Sequence, residues 1–163
     1  MKKRSSTIQR RTFETDVTIG LTIDGTGTRK IETPVRFLNH MLDLFAKHGL
    51  FNFEIKAQGD TYIDEHHTVE DIGIVLGEAF AKALGNKKGI NRYGFFILPM
   101  DEALATVAID FSGRYAFTFD CGFRREKIGD LSTELVYDFW NAFAQSAKTN
   151  LYMKVENGRN DHH

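Results

Sequence analysis

A single cysteine, Cys121, occurs in 163 residues, which excludes an intrachain disulfide and fits a reducing cytoplasm. No apolar run approaches the roughly 20 residues that cross a bilayer. The opening Met1-Lys2-Lys3-Arg4-Ser5-Ser6 is basic but has no apolar segment behind it, which argues against a secretory signal. An excess of one charge is missing too. A formal net charge of −1 and a pI of about 6.6 give no general attraction to nucleic acid or to an anionic membrane. At 42% hydrophobic, the chain reads as one compact unit or two small halves sharing a core.

What the sequence does have is histidine in doublets. In Asp64-Glu65-His66-His67-Thr68-Val69-Glu70-Asp71, a helix starting near the doublet brings Glu70 onto a shared face with His66 and with His67. Consecutive residues diverge by about 100° around a helix, so the two rings do not easily serve one ion. The pair returns as His162-His163. One helical His-His pair belongs more often to surface or cap chemistry. Two doublets, one with a carboxylate at ligand spacing, favour a site with two metals. Five of the six histidines enter that constellation, and the sixth, His48, stays outside it.

The doublets sit in a duplication. Val17, Ile19, Leu21 and Ile23 alternate as in a strand over 16–24, Asp24-Gly25-Thr26-Gly27 turns, and a second strand covers 28–33. Residues 36–48 have helical spacing, with Gly49 expected as the left-handed stop. A strand over 51–57 and a long helix capped by Asp64 follow. After a connector at 85–102 the order returns: strands around 105–111 and 115–121, a helix over 132–147, a strand over 151–155, and Asp161 placed to cap another helix. Ile55-Lys56-Ala57 matches Met153-Lys154-Val155, and His40 aligns with Asp138. The expected division is 1–92 and 93–163, two halves of one compact unit.

These segments resemble the imidazoleglycerol-phosphate dehydratase family from about Arg11 to His163. The resemblance rests on Phe37-Leu38-Asn39-His40-Met41-Leu42, the block from Gly59 to Asp71, Lys88-Gly89-Ile90-Asn91-Arg92-Tyr93-Gly94, Pro99-Met100-Asp101-Glu102-Ala103 and Ser112-Gly113-Arg114. It implies an α+β fold of tandem β-β-α-β-α halves (ribosomal protein S5 domain 2-like), with a helical layer between two four-stranded mixed sheets. It also implies trimers assembling into a 24-subunit shell, active sites between subunits, and two Mn²⁺ ions per site. The implied reaction is dehydration of imidazoleglycerol phosphate to imidazole acetol phosphate in histidine biosynthesis, through an imidazolate and a diazafulvene-type intermediate.

By the same resemblance, the metal ligands are His40, His66, His67, Glu70, Asp138, His162 and His163. Arg92 and Arg114 form a phosphate clamp, Glu14 contacts substrate, and Asp101 supports the site. Glu14, His40, His67 and Glu70 are the catalytic candidates, with Glu14 and Glu70 able to move protons. Asp138 also reads as a solvated helix residue, and the arginines as surface groups after turns. Asn39 stands where the family has Asp, and Tyr115 where it has Pro. Past His163 the family continues with a Glu and a final helix, which is missing from this chain and would cover the face around Phe139 and Phe143. Two other functions fit the same ligands: a two-metal hydrolase activating water, and a non-catalytic metal-binding or shell-forming protein.

Overall fold

A computed structural model describes residues 3–163. In chain order its elements are β1 (Ser5–Arg11), β2 (Thr15–Thr22), β3 (Arg29–Glu32), α1 (Arg36–Gly49), β4 (Asn52–Gly59), α2 (His66–Leu84), β5 (Tyr93–Met100), β6 (Ala103–Asp110), β7 (Ala116–Asp120), β8 (Lys127–Ile128), β9 (Leu131–Ser132), α3 (Leu135–Ala147) and β10 (Asn150–Asn157). Alternation sends Val17, Ile19 and Leu21 of β2 to one face, where all three are buried. Their cross-strand neighbours on β4 are Ala57, Ile55 and Phe53, which are buried on the same face. The first sheet runs β1-β2-β4-β3 and the second β5-β6-β10-β7. Each has two antiparallel pairs and one parallel pair, so both are mixed and share one topology.

The helices form the layer between the sheets. Val69, Ile72, Val75, Leu76 and Ala79 bury one broad flank of α2. Its closest approach to α3 passes over Gly73 and Gly77, where a Cβ would stand 2.5 Å from the carbonyl oxygens of Phe139 and Phe143. Phe45, Phe80, Trp140 and Phe143 then close the core in edge-on and tilted contacts. Among the described residues no helix is long and apolar enough to cross a membrane.

The two four-stranded sheets contain two strands beyond those expected from the sequence, and the β8–β9 hairpin adds two more. β1 carries a single large apolar residue, Ile8, among polar ones, and β5 lies inside the stretch expected to be a connector. Both are edge strands, formed by pairing with β2 and β6 rather than by their own pattern. They bring each sheet to four strands. α3 starts at Leu135 because Leu131 and Ser132 pair with Ile128 and Lys127 in a hairpin. The left-handed residue after α1 is Leu50, at φ 56°, and not Gly49. Gly49 has a different reason to lack a side chain: its Cβ would meet the Phe51 ring at 2.4 Å. Phe139 and Phe143 are already buried, 5% and 2% exposed. The open apolar surface is a groove of about 350 Å³ lined by Phe37, Met41, Trp140 and Met153, with His162 and His163 also among its lining residues.

Candidate active site

The first doublet opens α2. Asp64 Oδ1 accepts the backbone N–H of His66 at 2.9 Å, satisfying one of the free donors at the helix start. Glu65 turns the other way and is 8% exposed. It accepts the Ser132 N–H at 2.8 Å, the Ser132 hydroxyl at 2.6 Å and the Lys127 ammonium at 3.3 Å. Burial raises its carboxyl pKa, but these partners outweigh burial and bring it down to about 2. With the backbone fixed on both sides, the His66 and His67 rings stand 6.0 Å apart at 90°. His66 Nε2 lies 3.7 Å from Glu70 Oε2. His67 Nδ1 lies 3.0 Å from Asp60 Oδ2, and Asp60 is buried. That hydrogen bond is the main cause that raises the His67 pKa, with the Glu14 charge adding to it.

The second doublet repeats this arrangement with one exchange. Asn160 Oδ1, not the expected Asp161, accepts the N–H of His162, at 3.1 Å. Asp161 instead turns back to the Arg124 and Arg125 N–H groups at 3.0 and 2.8 Å, as Glu65 turns to Ser132. The side chain two residues before the first His reaches forward to cap; the next one is tied elsewhere. His163 Nδ1 lies 3.0 Å from Glu102 Oε2, and its Nε2 lies 3.8 Å from Asp101 Oδ2. Contact with His163 leads the causes that hold the Glu102 carboxyl down to about 2. His162 faces α1, its ring centroid 5.8 Å from His40 and 5.2 Å from Phe37.

The hairpin β8–β9 ties these pieces together. Asp130 at its turn accepts the N–H groups of Arg36 and Phe37, capping α1 one turn ahead of His40. Ser132 at its end holds Glu65. The two helices that carry the candidate histidine ligands, α1 and α2, are therefore located by one six-residue segment, 127–132. Asn39 donates to the Thr33 carbonyl at 3.0 Å and is not bonded to His40, so it braces the helix entry. His48 is exposed in the last turn of α1, where a helix C-terminus favours positive charge.

Of the two arginines, one contacts a carboxylate directly and the other acts on it through charge. Arg92 forks onto Asp110 at 2.5 and 2.8 Å and lies 4.9 Å above the Tyr93 ring. The Arg92 hydrogen bond leads the lowering of the Asp110 pKa, and the charges of Arg114 and Lys87 lower it further. Three cations thus gather at one end of the second sheet. Lys87 had no sequence signal beyond a basic run before Gly89. Asp138 sits half-buried in the first turn of α3.

The fold brings His40 to His162, His66 to Glu70, His67 to Asp60 and Glu14, and His163 to Asp101 and Glu102. It does not gather all of them. Among the described residues, one trio has ligand atoms within 4.8 Å of one another: Asp101, Glu102 and His163. Exposed imidazole nitrogens beside carboxylate oxygens suit a divalent first-row ion, and thiolate is absent from the set. Asp60 and Glu102 escaped the sequence reading because nothing local marks them. Each lies at a strand end brought to a histidine by tertiary folding.

Residues 33–163 match the family described as imidazoleglycerol-phosphate dehydratase. The protein of that name from Caldicellulosiruptor saccharolyticus is 52% identical over 163 residues, covering 100% of this chain and 84% of its own length. The one from Methylorubrum populi is 54% identical over 160 residues, covering 98% and 82%. Among solved structures, imidazoleglycerol-phosphate dehydratase from Staphylococcus aureus superposes with a TM-score of 0.86 at 38% identity, covering 97% of this chain and 87% of that one. The Pyrococcus furiosus structure superposes at 0.83 and 31% identity, covering 96% and 83%. With these similarities in sequence and fold, the chain belongs to the imidazoleglycerol-phosphate dehydratase family.

Proposed function

We propose that this chain dehydrates imidazoleglycerol phosphate to imidazole acetol phosphate in histidine biosynthesis, using two Mn²⁺ ions per site. The observation that carries the reading is the pair of doublets, each opened by a side-chain cap and each with one ring bonded to a carboxylate through Nδ1. His40, His66, His67, Glu70, Asp138, His162 and His163 would hold the ions. Bound there, the metals would supply Lewis acidity that favours the deprotonated substrate ring and loss of the neighbouring hydroxyl. The chain's own groups do the rest. Glu14, close enough to influence His67, and Glu70 take and return the carbon-bound proton and the proton that leaves with water. Arg92 and Arg114 hold the phosphate, which takes the place of the Asp110 carboxylate on the guanidinium fork. Asp101 borders this region beside His163.

Within one chain the His40–His162 and His66–Glu70 pairs remain separate groups, which supports sites completed between subunits and assembly of trimers into a 24-mer. The outer face of the second sheet supports self-association as well: Phe95 and Ile97 on β5 are 80% and 58% exposed, whereas the outer positions of β2 and β4 are polar. We assign 1–92 and 93–163 as the duplicated halves, and the cytoplasm as the compartment.

The test is to add Mn²⁺ and imidazoleglycerol phosphate and follow ultraviolet absorbance of the enolised keto product. Product should form, and His67→Ala should abolish it. Inorganic phosphate release would point to the hydrolase, and neither signal to a binding protein. Full turnover in strong chelator, with metal absent by elemental analysis, would defeat the two-metal reading.

A further inference from the structure

We propose that Asp60 and Glu102 are a matched pair of positioning residues, which hold His67 and His163 in the tautomer that leaves Nε2 free for a metal. The proposal rests on the two-metal reading above. It deepens that reading by assigning a role to two carboxylates outside the ligand set.

The register of the two sheets defines the relationship. Ile19 pairs with Ile55, and Val107 pairs with Met153. Because Ile55-Lys56-Ala57 and Met153-Lys154-Val155 are equivalent segments, Ile19 is the counterpart of Val107. Counting back five residues in each half makes Glu14 the counterpart of Glu102. β10 carries a bulge between Val155 and Asn157, so Asn157, paired with Leu104, is the counterpart of Gln58, paired with Asp16, and two residues on Arg159 is the counterpart of Asp60. The second half therefore has an arginine, and no carboxylate, where the first half has the group that holds its histidine. Glu102 supplies the carboxylate from the β5–β6 turn instead, at the same atom and the same distance: 3.0 Å to His163 Nδ1, against 3.0 Å from Asp60 to His67 Nδ1.

The same contact reached from two non-equivalent positions is hard to explain as an inheritance of the duplication. A shared need explains it. A carboxylate accepting from Nδ1–H fixes the proton on that nitrogen, so the neutral ring presents the Nε2 lone pair outward. It also orients the ring and increases its basicity as a ligand. Both carboxylates are anchored for the task. Asp60 is 8% exposed and its N–H donates to the Glu14 carbonyl at 3.1 Å. Glu102 Oε1 accepts the N–H of Asn160 at 2.6 Å and of Arg159 at 3.2 Å, leaving Oε2 for the ring. Glu102 thereby holds both the turn that presents the second doublet and one of its rings.

The experiment uses Asp60→Asn and Glu102→Gln, which keep shape and a carbonyl acceptor but remove the charge. Manganese affinity is measured from the electron paramagnetic resonance of free Mn²⁺. The histidine tautomers of the metal-free protein are read at about pH 8, above the free-imidazole range, from side-chain ¹⁵N shifts. Each variant should weaken manganese binding by roughly 10-fold or more and shift the tautomer of its own histidine alone. Wild-type affinity in both variants would overturn the proposal. So would weakened binding with unchanged tautomers, which would make the carboxylates ligands or structural groups. Failure of the wild-type chain to bind Mn²⁺, or unchanged affinity in His67→Ala, would instead bring down the underlying two-metal reading, and this proposal with it.

Discussion

Asp130 acts across 94 positions of sequence, accepting the first two N–H groups of α1 at 2.8 and 2.9 Å. Burial raises its carboxyl pKa, but the N–H groups of Phe37 and Arg36 outweigh burial and leave it below the ordinary value of 3.8. A carboxylate with a lowered folded pKa contributes stability above its unfolded pKa and loses it as pH falls through the folded value. Asp130→Ala should therefore cost about 1 kcal/mol near neutral pH, the usual worth of a cap. The gap between Asp130→Asn and wild type should narrow as pH drops below about 4. Urea titrations at several pH values measure both effects. A gap that grows on acidification would refute the assignment. Glu65→Ala should cost more, roughly 2 kcal/mol, because it strands the half-buried Ser132 N–H and hydroxyl. Thermal melting would register it, and Glu65→Gln should recover part of the loss. Such residues are hard to find by reading the chain. Asp64 was visible as a cap because the helix it serves follows directly. Asp130 and Glu65 work on elements far away in sequence, so spacing carries no trace of them.

At the scale of elements, α2 and α3 touch through Gly73 and Gly77, and two effects there oppose each other. Replacing a helical Gly by Ala gains up to about 1 kcal/mol in helix propensity. A Cβ 2.5 Å from a neighbouring carbonyl oxygen forces the helices apart, at a cost of about 1–3 kcal/mol. The clash should win. Gly73→Ala and Gly77→Ala should each lower the urea midpoint, with little change in slope. A raised midpoint would mean the helices separate without cost. The same reasoning explains which elements could be anticipated. β2, β4, β6 and all three helices bury a face of their own, so their apolar period appears in the chain. β1 and β5 owe their conformation to the neighbouring strand, and the β8–β9 hairpin to two residue pairs. Their sequences, Ser5-Ser6-Thr7-Ile8-Gln9-Arg10-Arg11 among them, lack a period to read.

For the whole molecule, the two sheets share a strand order but not a surface. The outer positions of β5 place Tyr93, Phe95 and Ile97 in solvent, each more than half exposed. If that face is where copies meet, Phe95→Lys with Ile97→Lys should shift sedimentation toward smaller species, because burying two charges in a protein contact is unfavourable. The far-ultraviolet circular dichroism should stay the same. An unchanged sedimentation profile would move the interface elsewhere. The motif segments between Phe37 and Arg114, with the duplicated doublets, were enough to carry the family resemblance, and through it the expected helical layer and the candidate ligands, since a motif depends on residue type and short spacing alone. Which atom of each histidine is held, by Asp60 in one half and by Glu102 in the other, was decided only when β4 and the β5–β6 turn came to lie beside the doublets. That choice depends on distances of about 3 Å between groups with no common spacing in the two halves, and only a folded backbone sets such distances.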